Sequence, residues 1–193
     1  VLISLIVGIT LGMLAGFFKG WIDDLIMWLV NVIWSIPTLL LVIAITLALG
    51  KGIGQVFIAV GLTMWIEVAR SVRGQVLCVR ELTCVEAGKA LGFSNSRILF
   101  RHILPNIIGP IIVVAATNFA TAILLEAGLS FLGMGAQPPT PEWGALLSAS
   151  REFIETAPWT VTLPGLAILI TVLASHLLGD GLRDALDPRI DQS

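Results

Sequence analysis

The sequence predicts an all-helical protein that crosses a membrane several times, and three observations carry that prediction. Of 193 residues, 56% are hydrophobic and 12% charged, against about 45–50% and about 25% in an ordinary soluble domain. Five apolar stretches reach or approach the roughly 20 residues a helix needs to cross a hydrocarbon core of about 30 Å. They are continuously apolar rather than alternating with period two, which favours helices over barrel strands. The same composition excludes a soluble enzyme and a disordered chain. With 11 Lys and Arg against 13 Asp and Glu, the basic excess of a nucleic-acid-binding module is missing, and no nucleic-acid partner is expected. Cys78 and Cys84 with two histidines match neither a metal-ligand spacing nor a disulfide framework, so no metal and no cofactor is expected in this chain.

The first stretch, 1–18, carries no charge. Gly8, Gly12, Gly16 and Gly20 recur there every fourth residue, a stripe of small residues that lets a second helix approach closely. Packing within the chain is the expected use of it. The stretch opens without the basic residues of a signal peptide, so further sequence is expected upstream. The second stretch, 25–49, is uncharged over 25 residues and holds Asn31 and Pro37. The third, 52–69, is short and glycine-interrupted and stays uncharged until Glu67. The fourth, 107–132, contains Pro110, Asn118 and a single charge, Glu126; the fifth, 159–178, contains Pro164 and His176. Each proline is able to kink its span where the freed backbone groups face protein or water. Glu67 and His176 are expected near the ends of their spans, within reach of water. Glu126 lies some twenty residues past Asn106, about 30 Å along a helix, and is expected near the opposite surface. That leaves Asn31 and Asn118 as the polar candidates for lining a path.

Orientation follows from the basic residues. With Val1 outside, Lys19, Arg70, Arg73, Arg80, Lys89, Arg97, Arg101, Arg183 and Arg189 fall inside, nine of eleven, as the positive-inside rule requires. Residues 70–106 and the C-terminus are therefore expected in the cytoplasm, and residues 133–158 outside. The cytoplasmic segment is too long for a plain connector. Helix formers span Arg80 to Leu91, Gly92 supplies a stop, and Ser94 or Asn95 an N-cap for a second short helix running to Leu104, before Pro105 and Asn106 turn into the fourth span. Such a pair of helices fits a passive lid on the membrane or a docking knob for a cytoplasmic partner. In the external segment, Pro138 and Pro139 stiffen a turn, Thr140 is placed to cap, Pro141 suits a first helical position, and Glu142 suits the dipole of an amphipathic helix over 142–156.

Glu86-Ala87-Gly88, three residues, Gly92, nine residues and then His102-Ile103-Leu104-Pro105 resemble the signature E-A-A-x3-G-x9-I-x-L-P of the membrane subunits of binding-protein-dependent ABC importers. Gly88 stands at the second alanine and His102 at the isoleucine, the latter giving the R-H-I-L-P-N form of the peptide and nickel branch. GFFKGWIDDLIM near the start, Gly128 to Gly144, Ala157 to Ile168 and Leu177 to Arg189 also resemble the second permease subunit of di- and oligopeptide importers. The resemblance implies a type I importer permease fold with six spans, five of them in this sequence, in the inner membrane. It implies partners as well: ATPase subunits that bind ATP and Mg, a second permease and an external solute-binding protein. Glu86 would then be a polar contact to the ATPase, Gly92 the turn of the knob and Pro105 the break setting its angle, with Ala87, Gly88, His102 and Leu104 in the same coupling loop. No catalytic residue is expected, and no G-x-x-x-x-G-K-[ST] loop is present. A nickel or nickel-chelate importer is the alternative within the class. An ion-coupled transporter would need midplane carboxylates or internal repeats, and an intramembrane enzyme a serine–histidine or metal constellation.

Overall fold

A computed structural model describes residues 1–137 and 139–186. The expectations that rest on Pro138 and Arg189 lie outside the described residues. Among the described residues nine α-helices follow one another: α1 (Leu2–Phe18), α2 (Trp21–Trp34), α3 (Thr38–Leu49), α4 (Ile53–Val79), α5 (Thr83–Ala90), α6 (Asn95–Ile98), α7 (Leu104–Phe131), α8 (Trp143–Ala149) and α9 (Trp159–Leu186). A π-helical turn, Leu99–Ile103, joins α6 to α7, and a 3₁₀ turn, Ser150–Phe153, follows α8.

The helices depart from the five expected stretches at two places. Helices over Ile53–Val79, Asn95–Phe131 and Trp159–Ala185 are long and apolar enough to cross a membrane, and α1 is a shorter apolar helix. The stretch 25–49, however, breaks into α2 and α3 between Trp34 and Thr38. Pro37 is the cause. It adopts φ −53° and ψ 125° ahead of α3, it has no N–H to continue α2, and it disfavours helical backbone at Ile36. Ser35 closes α2 by donating its N–H to the Asn31 carbonyl at 3.0 Å and its hydroxyl to that of Val32 at 2.7 Å. By contrast, α7 and α9 continue through Pro110 and Pro164. The second departure concerns α4, which outruns its apolar stretch by ten residues and ends at Val79.

The chain divides into two compact units. One comprises Ile36–Met64 and Ala116–Leu178. Its core is Val42, Val56, Ala59, Val60, Met64 and Leu129, with Ala122, Leu125 and Met134 packed on it. Here α7 ends in a Schellman motif: Gly133 (φ +76°) donates to the Ser130 carbonyl at 3.0 Å and Met134 to that of Leu129 at 2.9 Å.

The other unit comprises Leu2–Ser35, Trp65–Ala115 and the chain from Gly179. The glycine stripe is consumed inside it. A Cβ on Gly8 would lie 2.5 Å from Val68 Cβ, one on Gly12 2.6 Å from the Ala69 carbonyl oxygen, and one on Gly16 2.8 Å from Val76 Cβ. Thus α1 and α4 run parallel in backbone-to-backbone contact at a constant offset of 60 residues. Gly20 takes no part in that packing; with φ +63°, next to Lys19 at φ +50°, it makes the turn into α2. On another side of α4, Trp65, Ile66 and Ala69 bury Val30 of α2.

Candidate functional site

Residues 80–104 form a small structure with its own core. Val85 and Ile98 are fully buried against Val72 and Val76 of α4, together with Leu99, Ile103 and Ile107. α5 stops where glycine permits it. Gly92, at φ +74°, donates to the Lys89 carbonyl at 3.0 Å, and Phe93 donates to that of Gly88 at 3.0 Å, the two bonds of a Schellman motif with its left-handed residue at Gly92. Two residues on, the Ser94 hydroxyl accepts from the Arg97 N–H at 3.4 Å and caps α6. Glu86, Ala87, Ala90 and Leu91 stay at the surface, and Leu91 is 72% exposed at the tip. Around α5, Val85 is buried, while Leu82, Ala90 and Leu91 are exposed.

The two departures from the signature meet at one ring. Gly88 is buried, and a Cβ there would lie 3.3 Å from Phe93 Cδ2. Phe93 in turn stacks on His102, with centroids 5.8 Å apart and an interplanar angle of 21°, and carries the Arg97 guanidinium 4.1 Å from its centroid. Gly88 therefore makes room for a ring pinned from other directions. Ala is a better helix former than Gly by about 1 kcal/mol, yet Gly88→Ala should not deliver that gain. It is expected to be neutral or to destabilise by up to about 1 kcal/mol, because the contact must open by a few tenths of an ångström against Phe93. The gain should return in a His102→Ala background, as thermal unfolding of the purified protein would read.

Pro105 does not break the chain. The helix runs continuously from Asn95 to Phe131, because the preceding turn widens: Leu104 donates to the Leu99 carbonyl, an i→i−5 bond, and the Asn106 side-chain amide donates to the His102 carbonyl at 2.5 Å. A π turn of this kind absorbs the missing N–H that would otherwise kink the helix. Leu104 is half-buried against the same core. Where α1 ends, Arg80 Nη1 donates to the Gly16 and Phe17 carbonyls at 3.1 and 3.0 Å, and Lys19 pairs with Glu81 at 3.3 Å. The Lys19 hydrogen bond holds the Glu81 carboxyl below its ordinary range. The pair is thus intact above that range and lost as pH falls through the lowered value.

The path candidates part company. Asn31 is exposed on α2, whereas Asn118 is 1% exposed on α7 with its Nδ2 lacking a partner among the described residues. Glu67 lies on α4 with twelve residues of the helix after it. It is exposed there, as is Arg70, whose guanidinium lies 4.1 Å from the centroid of Trp34.

A family description, binding-protein-dependent transport system inner membrane component, matches residues 8–192. The chain belongs to this family. It is 49% identical, over 97% of its length, to the dipeptide transport system permease protein DppC of Alkalihalophilus pseudofirmus. It is 45% identical, over 98% of its length, to the glutathione transport system permease protein GsiD of Pectobacterium atrosepticum. It spans 62% and 63% of the lengths of those two relatives. An inward-facing structure of the MetNI methionine ABC transporter shares the fold, with a TM-score of 0.80 at 17% identity, over 96% of this chain and 88% of that one.

In the segment from Gly128 to Gly144, residues interlock at the end of α7. Ser130 donates to Glu126 Oε1 at 2.7 Å and also meets Glu142 Oε2, which accepts from the Ala136 N–H at 3.1 Å. A Cβ on Gly144 would lie 2.1 Å from the Ala127 carbonyl oxygen. Glu142 is consequently the residue before α8, not its first-turn acid, and Thr140 caps nothing. The expected helix over 142–156 shortens to Trp143–Ala149 and the 3₁₀ turn after it. Trp143, Leu146, Phe153 and Ile154 remain exposed, as its amphipathic reading expects. Among the described residues, no group of three or more His, Cys, Asp or Glu is placed to hold a metal ion.

Proposed function

We propose that the chain is a permease subunit of an ATP-driven importer of short peptides, and that the tip of α5 is where it meets a separate ATPase subunit. The observation that carries this is mechanical. An exposed tip bearing Glu86, Ala87, Ala90 and Leu91 is mounted on a buried core shared with α4 and on a helix continuous through Leu104 to Phe131. A push on that tip bears on α4 and α7 through this shared core. The distribution of basic residues supports a cytoplasmic position for 80–104 and for the C-terminus, and an external one for 133–158. In this reading ATP and Mg belong to the ATPase, a second permease completes the path, and a solute-binding protein delivers the peptide to the outer face. The names of the relatives favour peptides over a nickel chelate.

Leu91→Asp, which places a charge on the apolar tip, is expected to lower both dipeptide uptake and peptide-stimulated ATP hydrolysis at least tenfold in the assembled transporter, while the chain still folds. Glu86→Ala should act in the same direction more weakly. Uptake and hydrolysis both unchanged in the Leu91 variant would overturn the assignment of the tip.

A further inference from the structure

Arg80, Glu81 and Leu82 form the turn that joins α4 to α5, and two of its side chains reach back to the end of α1. A helix closes on C=O groups that lack partners within it, and the negative end of its dipole lies there. At α1 the Arg80 guanidinium fills that place: Nη1 donates to the Gly16 and Phe17 carbonyls at 3.1 and 3.0 Å, from a side chain only 16% exposed. Its Nε lies 3.3 Å from Glu81 Oε1, and the same oxygen accepts from Lys19 Nζ at 3.3 Å. Glu81 thus stands between Arg80 and the first residue after α1. Lys19 itself adopts φ +50°, a left-handed backbone that a residue with a Cβ keeps only where its surroundings fix it. Packing joins the same parts. Phe17 lies against the core that buries Val85 of α5 and Ile98 of α6, and Gly16 abuts Val76 of α4.

From this we propose that Arg80 is a positioning residue of the coupling loop: by holding the end of α1 to the turn that carries α5, it makes α1 follow when the tip is pushed. The chain itself joins the loop to α4 on one side and, through α6 and the π turn, to α7 on the other. Helix α1 is joined to it by side chains. Arginine suits that task because its fixed fork keeps one nitrogen on two carbonyls while another faces a carboxylate. The fork is anchored at its root, since the Arg80 N–H donates to the Val76 carbonyl at 2.9 Å. Lys19 and Glu81, 51% and 62% exposed, add little on their own, as exposed ion pairs do, so the joint rests on Arg80. The inference depends on the importer reading and deepens it.

The assembled transporter in a Cys78→Ser/Cys84→Ser background tests the joint. Arg80→Met is expected to keep peptide-stimulated ATP hydrolysis near the parent rate while dipeptide uptake falls several-fold, so that more ATP is hydrolysed for each dipeptide taken up. Arg80→Lys, which restores a cation and its donors, should recover part of the uptake. Lys19→Cys and Glu81→Cys, both at exposed positions, can then be bridged by a short bifunctional methanethiosulfonate. In Arg80→Met the bridge should restore uptake per ATP, and a thiol reductant should remove the gain. In the protein that keeps Arg80 the same bridge should leave uptake unchanged, because the turn and the end of α1 move together. A bridge that stops uptake in that protein would overturn the proposal, whether or not Arg80→Met assembles. So would an Arg80→Met variant with the parent's uptake per ATP, or one whose uptake and hydrolysis fall together without rescue by the bridge. If Arg80→Met matches the parent while Leu91→Asp loses both uptake and hydrolysis, the joint is wrong and the importer reading stands. If Leu91→Asp keeps both, the assignment of the tip itself fails.

Discussion

Replacing Gly12 by leucine is expected to prevent α1 from seating on α4 and to remove most of the correctly assembled protein. The close approach at Gly12 is to backbone as well as side chain: an added Cβ would lie 2.6 Å from the Ala69 carbonyl oxygen and 2.8 Å from Val72 Cβ. A side-chain tip can rotate away, but a carbonyl inside a helix cannot move without the helix. Gly8 and Gly16 fix the same interface one turn to either side, so the helices cannot part locally. Overpacking of an ordinary core costs about 1–3 kcal/mol, occasionally more, and this site belongs at or beyond the upper end of that range. Gly54→Leu is the control, since a Cβ there has open space around it, and it should match the parent in yield and in thermal unfolding in detergent. Gly12→Ala should be milder but still destabilising. Combining it with Val72→Ala should recover part of the loss and not all, because the Ala69 carbonyl remains. Full recovery in that double variant would show that the valine, and not the backbone, sets the contact.

The parts legible in the sequence are those decided by neighbouring residues. A glycine stop at Gly92 and a cap at Ser94 are local chemistry, and α5 and α6 fall where that chemistry places them. Pro37 is legible as a kink, and α2 and α3 part there. Wherever a distant partner decides, the reading fails in a definable way. Composition ends the third span at Ala69, because Arg70, Arg73 and Arg80 look like solvated residues. The helix continues because Arg73 is held by Asp23 and Arg80 by the end of α1. Glu142 looks like a dipole-facing acid until Ser130 and the Ala136 N–H claim its carboxylate. Gly88 looks like a loosened helix, and it proves to be the space for Phe93.

Asp23 and Arg73 supply the second large effect. The guanidinium donates through Nε and Nη2 to both carboxylate oxygens at 2.6 Å, a fork-to-fork pair tying the first turn of α2 to α4. Asp23 is 9% exposed, so its own desolvation is compensated only by that arginine. Removing one member of a fully buried pair costs about 3–5 kcal/mol. Because the Arg73 side chain keeps 29% exposure and can recover some hydration, Asp23→Leu is expected to destabilise by about 2–4 kcal/mol. The cost arises mainly from the arginine left behind, not from the lost attraction. Asp23→Leu/Arg73→Met should therefore return to within about 1 kcal/mol of the parent, since two apolar chains of similar volume leave no uncompensated charge. Thermal unfolding of the four proteins in detergent closes the cycle. Uptake then separates packing from mechanism: a double variant that regains stability and uptake makes the pair a fastener of α2 to α4. One that regains stability alone requires the charges themselves in transport, as would follow if α2 and α4 separate at this pair during the cycle.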